Sequence, residues 1–165
     1  MKKNGGFSLI EVLVVLGIIG ILSSFITPKV IDYTAKAKEV KVKSVLESLR
    51  TASEMYYLEE GKSFMSEQKN ITGEDLKVLE KYLSNNVKTL SDEKDSKVAV
   101  TMKLGGSRTE AAGEITRGGE VLFTTKDPDT ENSKSDGIRI WVVPKNTETV
   151  KTGNYTLEGE KWIDL

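Results

Sequence analysis

The chain begins with a long apolar segment that carries a single charge. Throughout residues 7–26 the side chains are hydrophobic or small, except for Glu11. A helix of about 20 residues is roughly 30 Å long, which is enough to cross the hydrocarbon layer of a bilayer. The pattern therefore predicts a membrane-spanning helix in this segment.

After Pro28 the hydrophobic pattern becomes amphipathic. Apolar side chains recur every three or four residues, and Lys and Glu fill the positions between them, which is typical of a helix with one buried face. Gly61 then provides a helix-ending signal. We expect one helix over residues 7–60, with a kink or a locally unwound turn at Pro28, because proline lacks a backbone donor. The predicted core positions of its second half are Val42, Val45, Leu46, Leu49, Ala52 and Tyr56.

The rest of the chain is predicted to form a short helix and then strands. Thr72 can begin a helix that ends by Asn86, with Leu76, Leu79, Tyr82 and Leu83 on one face. Alternating apolar and polar positions then predict three strands and a terminal hairpin around a Glu158-Gly159 turn. An antiparallel sheet packed on the long helix, and hence an α+β fold, is expected. The predicted strands are 98–104, 121–125 and 138–143, and the hairpin arms are 155–157 and 161–163.

Composition limits the chemistry of this domain. Of the 165 residues, about 105 remain for one globular domain once the helix and the preceding residues are set aside. The net charge of -1 gives no general attraction to nucleic acid. The sequence has no Cys, hence no disulfide, and no His, the commonest general base. Enzymatic activity is therefore not expected.

Glu11 is the most informative residue of the apolar segment. A carboxylate near the middle of a bilayer costs roughly 2.5 to 3.5 kcal/mol on insertion scales, so such a residue needs a partner or a function. The apolar segment itself contains no basic residue. We therefore expect the partner of Glu11 to come from outside this segment.

The residues around Glu11 resemble a processing signal. Basic residues, a glycine pair, an aromatic residue and the acid follow one another in the run KKNGGFSLIE at residues 2–11. This order and spacing closely resemble the prepilin signature of type IV pilins and type II secretion pseudopilins. An ordinary secretory signal differs, because its cleavage site follows the apolar core instead of preceding it.

The resemblance implies a role for three residues. In that family a membrane peptidase cuts after the last glycine and methylates the new amino terminus. Cleavage would fall between Gly6 and Phe7, and Phe7 would become N-methylated. Glu11 would then pair with the amino group of Phe7 on a neighbouring subunit. Such a buried pair can contribute little net stability and still fix the register of assembly.

Other residues of the apolar helix also fit assembly. Gly17 and Gly20 are small and would let neighbouring helices approach closely. Members of the family commonly loosen this helix near a proline, so the resemblance makes Pro28 a candidate for extension under load. Its simpler interpretation is that Pro28 marks the membrane boundary.

The resemblance also implies an organisation, a location and partners. The fold would be pilin-like, with a leader (1–6), an apolar helix (7–28), an amphipathic continuation (29–60) and an α+β head (61–165). The chain would be a single-pass protein of the cytoplasmic (inner) membrane with the head outside, and later part of an extracellular or periplasmic filament. Its partners would be other copies in a helical homo-oligomer, the prepilin peptidase, a membrane assembly platform and, before assembly, the lipid bilayer.

Two alternatives to a pilus subunit stay open. One is a pseudopilin of a type II secretion or competence (DNA-uptake) system, whose short filament works as a piston. Many Gram-negative pilins have a C-terminal disulfide, so the absence of Cys leaves the subfamily open. The other alternative is a membrane-anchored binding module that uses an acidic loop. Replacement of Glu11 separates a filament subunit from an anchored binding module, because only the filament subunit needs this residue; the sequence does not separate a pilus subunit from a pseudopilin.

The acidic loop is a candidate calcium site. Residues 126–137 include Asp127, Asp129, Glu131 and Asp136, and calcium prefers such oxygen ligands. The spacing does not match an EF-hand, because Gly is missing at the sixth loop position and Glu at the twelfth. A solvated polar loop is therefore favoured over a calcium site, and no other cofactor is expected.

A basic stretch follows the apolar segment. Lys36, Lys38, Lys41 and Lys43 are interleaved with Glu39 and have few aromatic neighbours. This composition favours a solvated helix face over a contact with DNA or anionic lipid. DNA binding is therefore not indicated.

Overall fold

The chain forms two units that share one helix. In the computed structural model the first unit extends to Thr34, and residues 35–165 form the second. We call the described part of the first unit, residues 7–34, the stem, and the second unit the head. Helix α1 (Leu9–Glu60) contributes to both. The residues that the structure describes are 7–65, 67, 69–90, 97–129, 136–147 and 151–165.

The stem is helical and has no core of its own. Each Val, Ile, Leu and Phe side chain of residues 7–31 is at least 46% exposed. By length and composition, α1 is also suited to crossing a membrane. The helix continues through Pro28, so the unwound turn expected there is not observed. Near Pro28, the hydroxyl of Ser24 donates to the carbonyl of Ile21 at 2.6 Å, and that of Thr27 to Ser23 at 2.7 Å.

In the head, α1 buries the face that its sequence pattern predicts. The helix ends at Glu60, as expected, and Gly61 adopts a left-handed conformation with φ of 68°. Its N–H donates to the carbonyl of Tyr57 at 2.9 Å, which satisfies an acceptor at the helix end. The buried core positions of α1 are Val42, Val45, Leu46, Leu49 and Ala52, with Tyr56 partly buried against them.

A three-stranded antiparallel sheet completes the core. Its order is β1-β4-β5, and a separate two-stranded sheet pairs β2 with β3. Met102 lies opposite Val121, and Phe123 lies opposite Val142; all four side chains are buried in the core that includes α1. The predicted α+β, pilin-like fold is therefore confirmed. The strands are β1 (Thr101–Lys103), β2 (Gly106–Arg108), β3 (Ile115–Arg117), β4 (Glu120–Thr124) and β5 (Trp141–Lys145).

The short helix predicted after Thr72 is two helices. They are α2 (Gly73–Val78) and α3 (Asn85–Lys88). Thr72 caps α2 as expected, since its hydroxyl oxygen accepts the backbone N–H of Asp75 at 3.4 Å, and the Asp75 carboxylate accepts the backbone N–H of Thr72 at 2.9 Å. The predicted apolar face is confirmed, because Leu76, Leu79 and Leu83 are buried and Tyr82 packs against them.

The prediction of the strands was correct in position and wrong in detail. β1 is shorter than expected, and the β2–β3 pair was missed because the double glycine before it reads as a break. The predicted terminal hairpin is confirmed in a shorter form, since Tyr155 and Lys161 form an antiparallel bridge around the Glu158-Gly159 turn. The N–H of Thr156 also donates to the carbonyl of Glu160 at 2.7 Å, and that of Trp162 to Asn154 at 3.1 Å. A 3-10 helix (Trp162–Asp164) follows, and the Trp162 side chain is fully buried. The 3-10 helix therefore carries this large ring into the core, where a strand was expected.

A buried carboxylate holds the C-terminal loop to α1. Glu39, only 4% exposed, accepts the backbone N–H of Leu157 at 2.8 Å. Lys43 lies 3.4 Å from Glu39 and donates to Glu160 at 2.7 Å. Burial lowers the pKa of Lys43, but the hydrogen bond to Glu160 and the charge of Glu39 raise it by more, so the net pKa is raised. Polar contacts thus fasten this loop in a chain without Cys.

Candidate functional site

Glu11 lies in the first turn of α1, where it caps its own helix. The backbone N–H of Ser8 donates to Oε2 of Glu11 at 3.0 Å. Because α1 begins at Leu9, Ser8 occupies the N-cap position and Glu11 the third helical position. This is one half of a capping box. The expectation that the apolar segment offers Glu11 no partner is therefore wrong, since the partner is a backbone group.

A sequence signal for this contact was present and was missed. The residues Ser8-Leu9-Ile10-Glu11 fit the pattern of a capping box, Ser-x-x-Glu. A carboxylate is also favoured at this end of a helix, because the unpaired N–H groups carry a partial positive charge. In the part of the chain that the structure describes, Oε1 of Glu11 has no hydrogen-bond donor. One carboxylate oxygen thus holds the helix start, and the other is open to a second donor.

The predicted processing site lies at the border of the described residues. Phe7 precedes the helix and is 84% exposed. Gly6 lies outside the described residues, so cleavage between Gly6 and Phe7 stays a prediction. Helix packing at Gly17 and Gly20 also stays a prediction. A Cβ added at either glycine would meet no atom within 4 Å, so both positions are open to a neighbouring helix.

The described part of the acidic loop uses its carboxylates locally. Oδ1 of Asp127 accepts the N–H of Asp129 at 2.9 Å. Oδ1 of Asp136 accepts the N–H groups of Ile138 and Arg139, at 2.9 and 3.1 Å. Glu131 lies outside the described residues. Among those described, no three His, Cys, Asp or Glu side chains could share a metal ion. The calcium site stays a prediction.

Comparisons with known proteins give matches to the N-terminal segment and to most of the chain. The family model described as the prokaryotic N-terminal methylation motif matches residues 1–27. A fimbrial protein of Pseudomonas aeruginosa is 30% identical over 138 residues, which are 81% of this chain and 87% of that protein. The type II secretion system core protein G of Vibrio cholerae is 41% identical over 59 residues, 36% of this chain and 40% of that protein.

A third relative is the type IV major pilin protein PilA of Myxococcus xanthus, 39% identical over 57 residues, which are 34% of this chain and 26% of that protein. No solved structure matches the chain significantly. The fold, the N-terminal motif and the long match to the fimbrial protein lead to one conclusion. The chain belongs to the family of type IV pilins and type II secretion pseudopilins.

Proposed function

We propose that this chain is a structural subunit of a type IV pilus-like filament, assembled through its N-terminal helix and without enzymatic activity. The observation that carries the proposal is Glu11 in the first turn of an exposed apolar helix, with one carboxylate oxygen open. A membrane anchor needs the apolar surface and can use the acid only to cap its own helix, which leaves the second carboxylate oxygen without a role. An assembling subunit can use both.

Before assembly, the stem lies in the cytoplasmic membrane with the head outside. Prepilin peptidase removes the leader after Gly6 and methylates Phe7. The bond from the Ser8 N–H supports the Glu11 carboxylate at this stage, because it supplies a donor where water is scarce. The subunit can therefore remain in the bilayer without a fully unpaired carboxylate.

During assembly, an assembly platform in the membrane transfers the stem from lipid into a bundle of stems. The open Oε1 of Glu11 then receives the amino group of Phe7 from a neighbouring subunit. A subunit displaced along the filament would leave an amine and a carboxylate unpaired in an apolar medium, which is strongly unfavourable. The pair therefore selects one register, while the apolar stems supply most of the contact area.

The similarity to the fimbrial protein favours a pilus over a secretion pseudopilus. That match covers 81% of this chain, and the match to core protein G covers 36%. The head of this chain thus shares more sequence with a fimbrial subunit. A pseudopilin of a secretion or competence system is the second candidate, supported by the higher identity, 41%, of the shorter match.

The test compares Glu11→Ala with Glu11→Gln in the native cell. Gln keeps an acceptor for the Ser8 N–H and loses the charge, whereas Ala loses both. We expect peptide masses to show a methylated Phe7 terminus in both variants. We expect sheared filaments to be absent with Glu11→Ala and strongly reduced with Glu11→Gln.

Val12→Ala is the matched control, because it shortens a neighbouring stem side chain that carries no charge; it should assemble. Normal filaments from Glu11→Ala would refute the role in register. Normal filaments from Glu11→Gln alone would show that hydrogen bonding, and not ion pairing, is what assembly requires. A mature terminus other than Phe7 in the wild type would refute the processing step.

A further inference from the structure

A basic hollow lies on the head between α1 and strand β1. Its volume is about 320 Å³, and β1 is an edge strand of the three-stranded sheet. Two lysines come from α1 and one from β1, so residues far apart in the sequence share one hollow. We call Lys38, Lys41 and Lys103 the basic patch. The other lining residues are Leu90, Thr101 and Met102.

The three lysines of the basic patch form no ion pair with any residue that the structure describes. Within the described ranges, none of its three ammonium groups lies within ion-pairing distance of a carboxylate. Several other lysines of the head are paired. Lys43 contacts Glu160, and Lys145 contacts Glu120 at 2.8 Å. No carboxylate of the described residues therefore competes with an external anion for these three charges.

Folding buries Glu39, the acidic residue that the sequence places among these lysines. Glu39 lies between Lys38 and Lys41 in the sequence, which suggested a mixed and self-neutralising surface. In the structure Glu39 is buried and accepts the N–H of Leu157, so it faces away from the exposed surface. The surface at Lys38 and Lys41 is thus more positive than the sequence indicates.

We propose that the basic patch binds the anionic phospholipid headgroups of the membrane that holds the stem. The inference rests on the membrane-inserted state of the proposed function, and not on the pairing of Glu11 in the filament. In the chain, Lys38 and Lys41 follow the apolar segment closely. The stem tethers the head to the bilayer, so even a weak attraction acts at a high effective concentration.

Headgroups fit this patch better than nucleic acid does. Lysines near an anionic membrane surface are attracted to it individually, and no fixed geometry is needed. Single-stranded nucleic acid binds best where aromatic side chains stack on the bases, and none of the described residues that line this hollow is aromatic. Three lysines also neutralise too few phosphates for strong duplex binding at physiological salt. The lipid-bound head would hold the subunit at the membrane until assembly withdraws it.

The experiment uses the full chain in vesicles. The sequence has no Cys, so Ser44→Cys introduces a unique labelling site, and Ser44 lines a neighbouring hollow together with Lys41. A dye on this cysteine is quenched by nitroxide-labelled headgroups when the head lies against the bilayer. Vesicles of phosphatidylcholine alone are compared with vesicles that also contain phosphatidylglycerol.

We expect quenching to be several-fold greater with phosphatidylglycerol, and to fall in molar salt because the Debye length shrinks to about 3 Å. Equal quenching in both lipids would overturn the proposal.

Duplex DNA added to the neutral vesicles forms a third arm of the experiment. Protection of the three lysines from acetylation by DNA, without a lipid effect, would also overturn it and identify a nucleic-acid site.

Two triple variants with equal charge loss test the location. Lys38→Gln, Lys41→Gln and Lys103→Gln together should abolish the lipid-dependent quenching. Its control replaces three exposed lysines elsewhere on the head with Gln and should retain the quenching. If both variants lose it equally, the attraction is a general charge effect and the patch is not the site.

Flotation with neutral vesicles checks stem insertion separately, so failure to float would refute the membrane state and not the patch alone. The control positions are Lys62, Lys77 and Lys161.

Discussion

The stem and the head use the same helix in opposite ways. Leu16 in the stem is 59% exposed, whereas Leu49 in the head is fully buried. Burial of apolar area is the main favourable term in folding, so α1 contributes to the stability of the head through only one of its halves. The apolar surface of the stem must be covered by lipid or by other stems. The difference shows that one helix can provide a surface for assembly in its first half and part of a folded core in its second half.

The sharpest test of this comparison replaces one leucine in each unit. Leu49→Ala should lower the free energy of unfolding of the head by about 2–5 kcal/mol, because it removes buried methyl groups and leaves a cavity. Leu16→Ala, the matched control, should leave that free energy within about 0.5 kcal/mol of the wild type. Denaturant unfolding of the full chain in detergent, followed by tryptophan fluorescence, measures both. A large effect of Leu16→Ala would show that the two units do not fold separately.

A second test removes the buried carboxylate of the head. Glu39→Ala leaves the N–H of Leu157 without its acceptor, which should cost about 1–3 kcal/mol of unfolding free energy. Glu39→Gln retains an acceptor and should cost less. Glu47→Ala is the control, because this glutamate lies on the same helix with its side chain 71% exposed. If Glu39→Ala matched Glu47→Ala in denaturant unfolding, the proposed fastening of the C-terminal loop would be wrong.

A third test concerns the buried tryptophan. Within the described part of the chain, Nε1 of Trp162 is buried without a hydrogen-bond partner. Trp162→Phe therefore loses no hydrogen bond, and removal of the unpaired donor offsets part of the lost packing. We expect a loss of about 1 kcal/mol or less in thermal or denaturant unfolding. A loss as large as that of Leu49→Ala would contradict this expectation, because the lost packing of the indole ring would then outweigh removal of the unpaired donor.

The smallest effect is a pH dependence. The pKa of Lys43 is raised, because the hydrogen bond to Glu160 and the charge of Glu39 outweigh burial, which lowers it. A raised pKa means that the charged lysine stabilises the folded head below its unfolded pKa of about 10.4, and that this contribution is lost as the pH rises through the folded value. The stability difference between the wild type and Lys43→Gln should be constant near neutral pH and shrink above about pH 10.4. A difference that grows with alkalinity would contradict this assignment.

Periodic features of the sequence predicted the elements of the fold well. The helical spacing of Val42, Leu46 and Leu49 identified the core face of α1, and Gly61 identified the end of the helix. These signals are local, since side chains three and four residues apart share one face of a helix. The same kind of signal predicted a kink or an unwound turn at Pro28; the unwound turn is not observed, and the kink stays a prediction. The cost of a missing backbone donor did not interrupt the helix.

Contacts between distant residues were not predictable in the same way. Glu39 was read as one exposed charge among lysines, and the structure buries it against Leu157, 118 positions further along the chain. The bond between Ser8 and Glu11 was within reach of sequence reasoning, because a capping box is a four-residue pattern. The prediction for Glu11 considered only charged partners and therefore did not include this bond.

The sequence alone determined the apolar stem, the position of its single acid, the amphipathic half of α1 and the family signature. Each of these depends on residue order over short distances. Only the tertiary structure decided which charged side chains form hydrogen bonds or ion pairs within the head and which face outward. Glu39 and Lys43 are held by the C-terminal loop, whereas Lys38, Lys41 and Lys103 are brought together and form no ion pair with another described residue. The physical reason is that a charge is neutralised by whatever lies beside it in space, and chain folding sets those neighbours independently of their spacing in the sequence.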